Sequence, residues 1–448
     1  MRTSDNLRAW IVAIDMGYGH QRAAYPFASI ACEHIITANN DTIISAHERN
    51  AWERIRKYYE LSSRLKDVPL IGKIAFGIVE KMQDIRPLFP IRNLSKPNYT
   101  ALYFQKIIKK GFGSNLTKYM QQRDIPIITT IFLPALACQY AGVPCYCIVT
   151  DTDINRVWVP VDPKTCIITY FSPTRHTTMR LKEYGVPTER IVETGFPLPE
   201  ENVGPNKTIL KSDLLARLIN LDPKGVFFNK YEPLLRKRLN IPARLRKKRL
   251  TPSSLQPYKT HPLTIAYLVG GSGAQAEIGI SIISSLKERI IARDVRIILS
   301  AGTRIDVRQY FEREIARLGL SAHLDNSIII VFAHEMNIYF ETLNKALRTT
   351  DILWTKPSEL SFYTGLGLPI IIAPPIGVHE TFNKQWLEQL GAGFPQEDPS
   401  TVKDWLFYSM DDGRLAEAAL RGYIDAPNSG TEYIKEYLRR NRSPRRNL

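Results

Sequence analysis

Cysteine is scarce: five residues in 448, an odd number, with neither a Cys-x-x-Cys pair nor the Cys/His spacing of a zinc site. A disulfide framework and a zinc module are thereby excluded, and Cys32, Cys138, Cys145, Cys147 and Cys166 read as reduced thiols packed inside a cytosolic protein. Low-complexity tracts and collagen-like periods are also missing. The first apolar run stops at Asp15, too early for a secretory signal peptide. One uncharged stretch, residues 125–150, is long enough to be weighed as a membrane span, but Pro126, Pro134, Gly142 and Pro144 cut it into short pieces. It is expected as strand, helix, strand.

What is present is chain enough for two cores of about 200 residues each. Hydrophobic residues make up 44% and charged residues 23%, the proportions of a soluble globular protein, and 29 prolines with 25 glycines imply defined turns. The net charge of +16 is unevenly placed. Between Lys207 and Lys259, 14 Lys or Arg stand against three acids, and the terminal "YLRRNRSPRRNL" adds five arginines. Such segments suit nucleic acid, anionic lipid or a phosphorylated small substrate.

The second half has the clearest rhythm. Apolar runs at Leu263–Val269, Val295–Ser300, Ser327–Phe332, Asp351–Thr355 and Pro369–Ala373 alternate with amphipathic segments, which predicts a parallel sheet covered by helices. The first half repeats the theme with strands near Trp10–Ile14, Ile127–Thr130, Cys145–Thr150, Cys166–Thr169 and Ile191–Glu193. The expected class is α/β, with two Rossmann-like domains facing across a cleft. The N-terminal domain covers 1–199, with a helical insertion at about 48–122, and a basic interdomain insertion covers 200–260. The C-terminal domain covers 261–430, followed by a basic tail over 431–448. Within the helical insertion, Leu102, Phe104, Ile107 and Ile108 are mixed with Lys106, Lys109 and Lys110, which suits either a membrane surface or a solvated helix with one core face.

In open α/β sheets ligands sit beyond the carboxyl ends of the strands, where helix N-termini offer unpaired N–H groups. Two glycine clusters fall at such places: "GYGH", with Gly17, Gly19 and His20 after the first strand, and "GGSGAQ", with Gly270, Gly271, Ser272 and Gly273 after the first strand of the second half. Glycine lets backbone approach a bulky anion, so the second cluster suits a diphosphate, although a plain tight turn accounts for either. Neither is a Walker loop or a G-x-G-x-x-G fingerprint. A third constellation runs from Asp351 to Gly393, where Lys356, Ser358 and Glu359 follow one strand and Gly377, His379, Glu380 and Asn383 follow the next. Carboxylates, amides and N–H groups on such rims bind hydroxyls and phosphate, or simply cap helices.

The order of these motifs, with "TD…W" mid-chain, "KPSE…GLP" and "GVHETFN…GAG", resembles the GT-B glycosyltransferases that include the lipid-linked N-acetylglucosamine transferase of peptidoglycan synthesis and the monogalactosyldiacylglycerol synthases. The resemblance runs from Ile11 to Gly393 outside the two insertions. It implies a metal-independent hexosyltransferase with no cofactor, its nucleotide-sugar being a substrate, usually UDP-linked. The C-terminal domain would hold the donor, with Gly270–Gly273 near the diphosphate and Glu380 and Asn383 near the sugar or nucleotide. Gly17, Tyr18, Gly19 and His20 would line the acceptor side, with Arg156 and Trp158 also touching the acceptor. Two departures stand out. The family's ribose-binding glutamate aligns with Phe362, leaving Glu359 as the nearest acid, and "TDTDINRVW" has Arg156 before Trp158 where the glycolipid enzymes have histidine.

An inverting transfer needs a proton acceptor, for which His20 leads and Asp151 and Asp153 follow, and cations for the leaving diphosphate, for which Arg175, His176 and Lys356 are candidates. No metal site and no DNA partner are expected. A cytoplasmic location is expected, with peripheral attachment to the inner membrane face left open through a lipid or glycan acceptor. Two alternatives remain beside transfer: a nucleotide-sugar 2-epimerase of the same architecture, and a non-catalytic nucleotide-sugar or RNA-binding protein using the basic segment.

Overall fold

The computed structural model describes residues 7–54, 85–239, 241, 243–245, 247–271 and 273–441. Two parallel six-stranded sheets carry the fold. The first contains β1 (Ala9–Ala13), β2 (Ala31–Thr37), β3 (Ile127–Thr129), β4 (Cys145–Ile148), β5 (Ile168–Ser172) and β6 (Ile191–Glu193), in the order β2-β1-β3-β4-β5-β6. The second contains β7 (Leu263–Leu268), β8 (Val295–Gly302), β9 (Ile328–Phe332), β10 (Ile352–Thr355), β11 (Ile370–Ile372) and β12 (Gly393–Pro395), in the order β12-β11-β10-β7-β8-β9. Strands such as "AWIVA" and "LTIAYL" are buried along their whole length, as parallel strands covered on both faces must be. The two-domain α/β class expected from the sequence is the one observed.

In each sheet the chain reverses its direction of travel once. β1 lies between β2 and β3, and β7 lies between β8 and β10. The loops after such a central pair part company, which leaves an opening at the carboxyl ends of the strands.

The expected strands match within a residue or two, except that Cys166–Thr169 moves forward to Ile168–Ser172. The two strands not foreseen, β2 and β12, are both edges. β2 exposes Glu33 and His34, and β12 is three residues long with glycine and proline in it, so neither carries the apolar run that marks a central strand. Residues 125–150 form β3, the helix Phe132–Tyr140 and β4. Among the described residues no helix is long and apolar enough to cross a membrane.

The chain divides into two compact units. Unit 1 takes the described residues up to Leu198, then Ile376–Asn383 and those from Ser429 onward; unit 2 takes Pro199–Pro375 and Lys384–Asn428. The stretch 200–260, expected as an interdomain insertion, is mostly helical and belongs to unit 2, with Leu210, Leu214, Leu218, Phe227 and Leu235 of helices Thr208–Leu221 and Val226–Arg238 buried there. The expected tail is a helix through Gly430–Arg440, packed into unit 1. A Cβ on Gly430 would lie 2.4 Å from the Phe196 carbonyl oxygen, so only glycine permits that approach. The Tyr437 ring stands edge-on to Tyr146 and Phe171. Of the helical insertion, Tyr99–Lys109 and Ser114–Met120 are helices. Its segment "PLIGKIAFGIVEKM" lies outside the described residues, as does the end of the chain after Asn441.

Helix Thr208–Leu221 is tied to the second sheet by polar groups. The fully buried Arg217 guanidinium donates to the carbonyls of Thr350 and Leu366 at 2.8 Å each. One turn later Asn220 Nδ2 donates to Asp351 Oδ2 at 2.9 Å, and the Thr264 N–H reaches the same oxygen at 2.8 Å. Burial pushes the Asp351 carboxyl up to about 8, outweighing the hydrogen bond from Thr264 and the charge of Arg217. Its folded value therefore stands above an unfolded one of about 3.9. The stability this group contributes is complete below the unfolded value and declines as pH rises toward about 8. Urea unfolding at pH 5 and pH 8 should show that decline, and Asp351→Asn should flatten it.

Candidate active site

In unit 1 the opening lies where the loops after β1 and β3 diverge. The chain leaves β1, passes Asp15 and turns at Gly17, whose φ of +89° is a left-handed conformation that glycine adopts without strain; no atom would meet a Cβ there within 4 Å, so the backbone angle and not crowding calls for glycine. Helix Gly19–Ala24 starts at once, with His20 as its second residue and partly exposed. His20 Nδ1 lies 2.6 Å from the Thr130 carbonyl oxygen, at the end of β3. A carbonyl only accepts, so Nδ1 carries the hydrogen and Nε2 of the neutral ring keeps its lone pair. The ring stands 6.5 Å from that of Trp158, which is buried 5.5 Å from Phe132.

The loop after β4 holds the other expected groups. Asp151 is partly exposed and accepts from Asn383 Nδ2 at 3.3 Å, while Asn383 Oδ1 accepts from the Thr152 backbone N–H at 3.0 Å and its hydroxyl at 2.8 Å. Asn383, expected near the donor, is thus fully buried against this loop. Glu380, also expected there, is buried, and its Oε2 accepts from the N–H groups of Ile376 at 2.6 Å and Gly377 at 3.3 Å, closing the turn that starts its own helix.

Two expectations are corrected by burial. Arg156, expected to touch the acceptor, points inward: its guanidinium donates to the carbonyls of Ser95 at 2.7 Å, Val159 at 2.7 Å and Pro160 at 2.9 Å, so it binds backbone, not ligand. Burial lowers its pKa below the usual guanidinium value. Asp153, expected as a base, is 1% exposed and locked on Arg180 by bonds of 2.7 Å and 2.8 Å, with His176 Nε2 at 2.9 Å. A carboxylate so enclosed cannot meet an acceptor hydroxyl.

In unit 2 the opening lies between β7 and β10. Gly270 to Gly273 form a turn closed by the Gly273 N–H to the Gly270 carbonyl at 2.8 Å. Gly273 has φ +77°, and Gln275 takes +67°, rare for a residue with a side chain; the Tyr267 hydroxyl donates to its carbonyl at 2.5 Å. Helix Ala276–Ser285 follows with no side-chain cap on its first N–H groups, and the Ile278 N–H bonds back to the Gln275 carbonyl at 3.2 Å. Lys356, from the loop after β10, crosses this turn so closely that a Cβ on Gly270 would lie 2.7 Å from its Cε. Arg304, after β8, lies beside Gly273, where an added Cβ would be 3.8 Å from its Cζ. It also pairs with Asp306 at 2.7 Å.

Lys356 and the turn lie side by side in unit 2. Arg304 was not anticipated; its signal was the cation in "GTRID" just past an apolar run. Ser358 and Glu359 are partly exposed at the start of the 3-10 helix Glu359–Leu366, whereas Phe362, at the family's ribose-acid position, is buried with its ring 5.3 Å from Trp386. Tyr18 and Gly19 border the first opening, and Gly271 lies in the second turn. Ser272 and the His379 side chain lie outside the described residues.

Arg156→Lys removes the planar fork that reaches several carbonyls and should lower unfolding free energy by about 2–4 kcal/mol. Asp151→Ala, at a partly exposed site, should cost less than about 1 kcal/mol by the same denaturant titration.

With this geometry in view, the comparisons are informative. The chain is 24% identical over 381 residues to the processive diacylglycerol beta-glucosyltransferase of Bacillus cereus (strain AH187), covering 80% of this chain and 82% of the relative. Among solved structures it is similar to Acinetobacter baumannii MurG, with a TM-score of 0.41, 15% identity and coverage of 81% and 87%. It is also similar to the UDP-GlcNAc 2-epimerase of Neisseria meningitidis bound to UDP-GlcNAc, with a TM-score of 0.44, 12% identity and coverage of 78% and 84%. No protein-family model matches the chain. The group that the motif order resembles and the curated relatives agree.

Proposed function

We propose that this chain is a glycosyltransferase that moves a sugar from a nucleoside diphosphate donor, UDP-linked, to an acceptor hydroxyl with inversion. One observation carries the reading: each sheet has a glycine turn beside the opening at its own strand reversal, with Lys356 and Arg304 flanking the turn in unit 2 and His20 held in a proton-accepting tautomer in unit 1. Unit 2 takes the donor. Its diphosphate lies against the Gly270–Gly273 turn, the N–H groups of helix Ala276–Ser285 and the two cations.

Unit 1 takes the acceptor. His20 Nε2 removes the hydroxyl proton as the oxygen forms its bond to the anomeric carbon; the bond from that carbon to the diphosphate breaks on the opposite face, and the charge left on the diphosphate is met by Lys356 and Arg304. Glu359 replaces the family's acid as the ribose partner.

A diacylglycerol-like acceptor is favoured by the named relatives and by one face of unit 1. On helix Tyr99–Lys109, Ile108 faces the core, while Tyr99 is 89%, Leu102 42% and Tyr103 55% exposed, beside the exposed Lys106, Lys109 and Lys110. Apolar and cationic groups on one surface suit an anionic bilayer, each lysine adding about 1 kcal/mol. The protein is then a peripheral enzyme of the inner membrane face.

Thermal shifts with UDP-, GDP-, ADP- and dTDP-sugars should show stabilisation by the UDP compounds. His20→Ala should cut transfer by about 10²- to 10⁴-fold while leaving that stabilisation in place. Absence of any nucleotide-dependent shift would overturn the reading, and conversion of UDP-N-acetylglucosamine to its C2 epimer without acceptor would transfer it to an epimerase.

Co-sedimentation with vesicles of anionic and zwitterionic lipid should show salt-sensitive binding to the anionic ones. Replacing Leu102 and Tyr103 by glutamate should abolish it.

A further inference from the structure

Three side chains that this mechanism does not use form one hydrogen-bonded line on the rim of unit 1. Asp153, in the loop after β4, is bound on both oxygens by the buried Arg180 and on Oδ2 by His176 Nε2. Burial raises the Asp153 pKa, but the hydrogen bonds from His176 and Arg180 outweigh it and hold the carboxyl below its ordinary value. An ionised carboxylate only accepts, so the hydrogen of this bond sits on His176 Nε2. With Nε2 carrying that hydrogen, the neutral form of the ring is the tautomer with its lone pair on Nδ1. Its side chain is 39% exposed at the start of helix Arg175–Glu183, just beyond the carboxyl end of β5.

Stability alone does not account for this ring. Arg180 already neutralises Asp153 and occupies both its oxygens, and a pair with a half-exposed imidazole adds little to that. A carboxylate, itself anchored by a buried cation, that fixes one imidazole tautomer at a surface is the arrangement used to aim histidines at substrates.

His20 is tied to the end of β3, whereas His176 follows β5. Those two strand ends stand two spacings of about 4.8 Å apart along one edge of the sheet, and the loop that carries Asp151 follows β4, the strand between them. The two imidazoles are thus held from different strand ends, His20 by Thr130 and His176 by Asp153.

We infer that His176 contacts the acceptor by receiving a hydrogen bond on Nδ1 from a second hydroxyl, one on a sugar that the acceptor already carries, with Asp153 and Arg180 as positioning residues. The inference rests on the transferase reading. A hydroxyl suits the site better than a phosphate because the Asp151 carboxylate belongs to the same rim, where Thr177, next to His176, is tied to the loop after β4 by its hydroxyl donating to the Thr152 carbonyl at 2.7 Å.

The experiment compares transfer from UDP-glucose to dioleoylglycerol and to glucosyl-dioleoylglycerol in mixed micelles. His176→Ala should raise KM for the glucosylated acceptor about five- to tenfold, the worth of one neutral hydrogen bond. Its kcat, and both constants for dioleoylglycerol, should stay within about twofold of the unsubstituted enzyme. His176→Gln keeps a donor toward Asp153 but has no acceptor at the Nδ1 position, so it should be as impaired as His176→Ala. His176→Asn, which restores an acceptor near Nδ1, should recover part of the loss.

Recovery by His176→Gln, equal loss on both acceptors, or KM values matching the unsubstituted enzyme would each overturn the proposal while leaving the transferase reading intact. No transfer by the unsubstituted enzyme to either acceptor would overturn both.

Discussion

The whole arrangement depends on the reversal of strand order inside a parallel sheet. A parallel sheet points every strand's carboxyl end the same way, so all loops that follow strands crowd one edge. Crowding is relieved at a single place in each sheet, between β1 and β3 and between β7 and β10, where successive connections run to opposite faces. The residues that can reach a ligand are those with backbone beside that gap. His20 and Thr130 occupy one gap, and Gly270 and Lys356 the other.

Chemistry follows from what the backbone does there. In unit 2 the positive φ values at Gly273 and Gln275 turn the chain into a helix start without a side-chain cap, and lack of a side chain at Gly270 lets Lys356 lie across the turn. In unit 1 a carbonyl, not a carboxylate, stands behind the proposed base: Thr130 sets the His20 tautomer without adding a charge. The carboxylate version of the same device is built nearby from Asp153 and His176, with Arg180 beneath it.

Several charged residues that look exposed in a linear reading serve as internal fastenings. Arg156 gathers loop carbonyls, Arg217 joins helix Thr208–Leu221 to the loops of the second sheet, and Glu380 closes the turn before its helix. Each is a long or charged side chain in a polar neighbourhood of sequence, and nothing in that neighbourhood distinguishes a group aimed at solvent from one aimed at orphaned carbonyls. The same holds for Asp153, three places after an apolar strand, where a turn, a base and a buried anion share one local pattern.

Ten strands, the α/β class and the placing of both glycine turns were legible in the sequence, because burial on both faces demands uninterrupted apolar runs and glycine supplies the left-handed backbone that the turns at Gly17 and Gly273 take. The edges β2 and β12 were not, since a strand with one open side needs no such run. Nor were the partners of His20, Lys356 and His176. These are settled by which strands lie side by side, and Thr130 stands 110 residues from His20 in the chain. Periodicity along the chain thus determined the elements and the loops that carry polar groups. Only tertiary packing decided which of those groups are neutralised inside and which are left partly exposed at the strand exits, because that choice depends on dielectric surroundings and donor geometry contributed by residues far away in sequence.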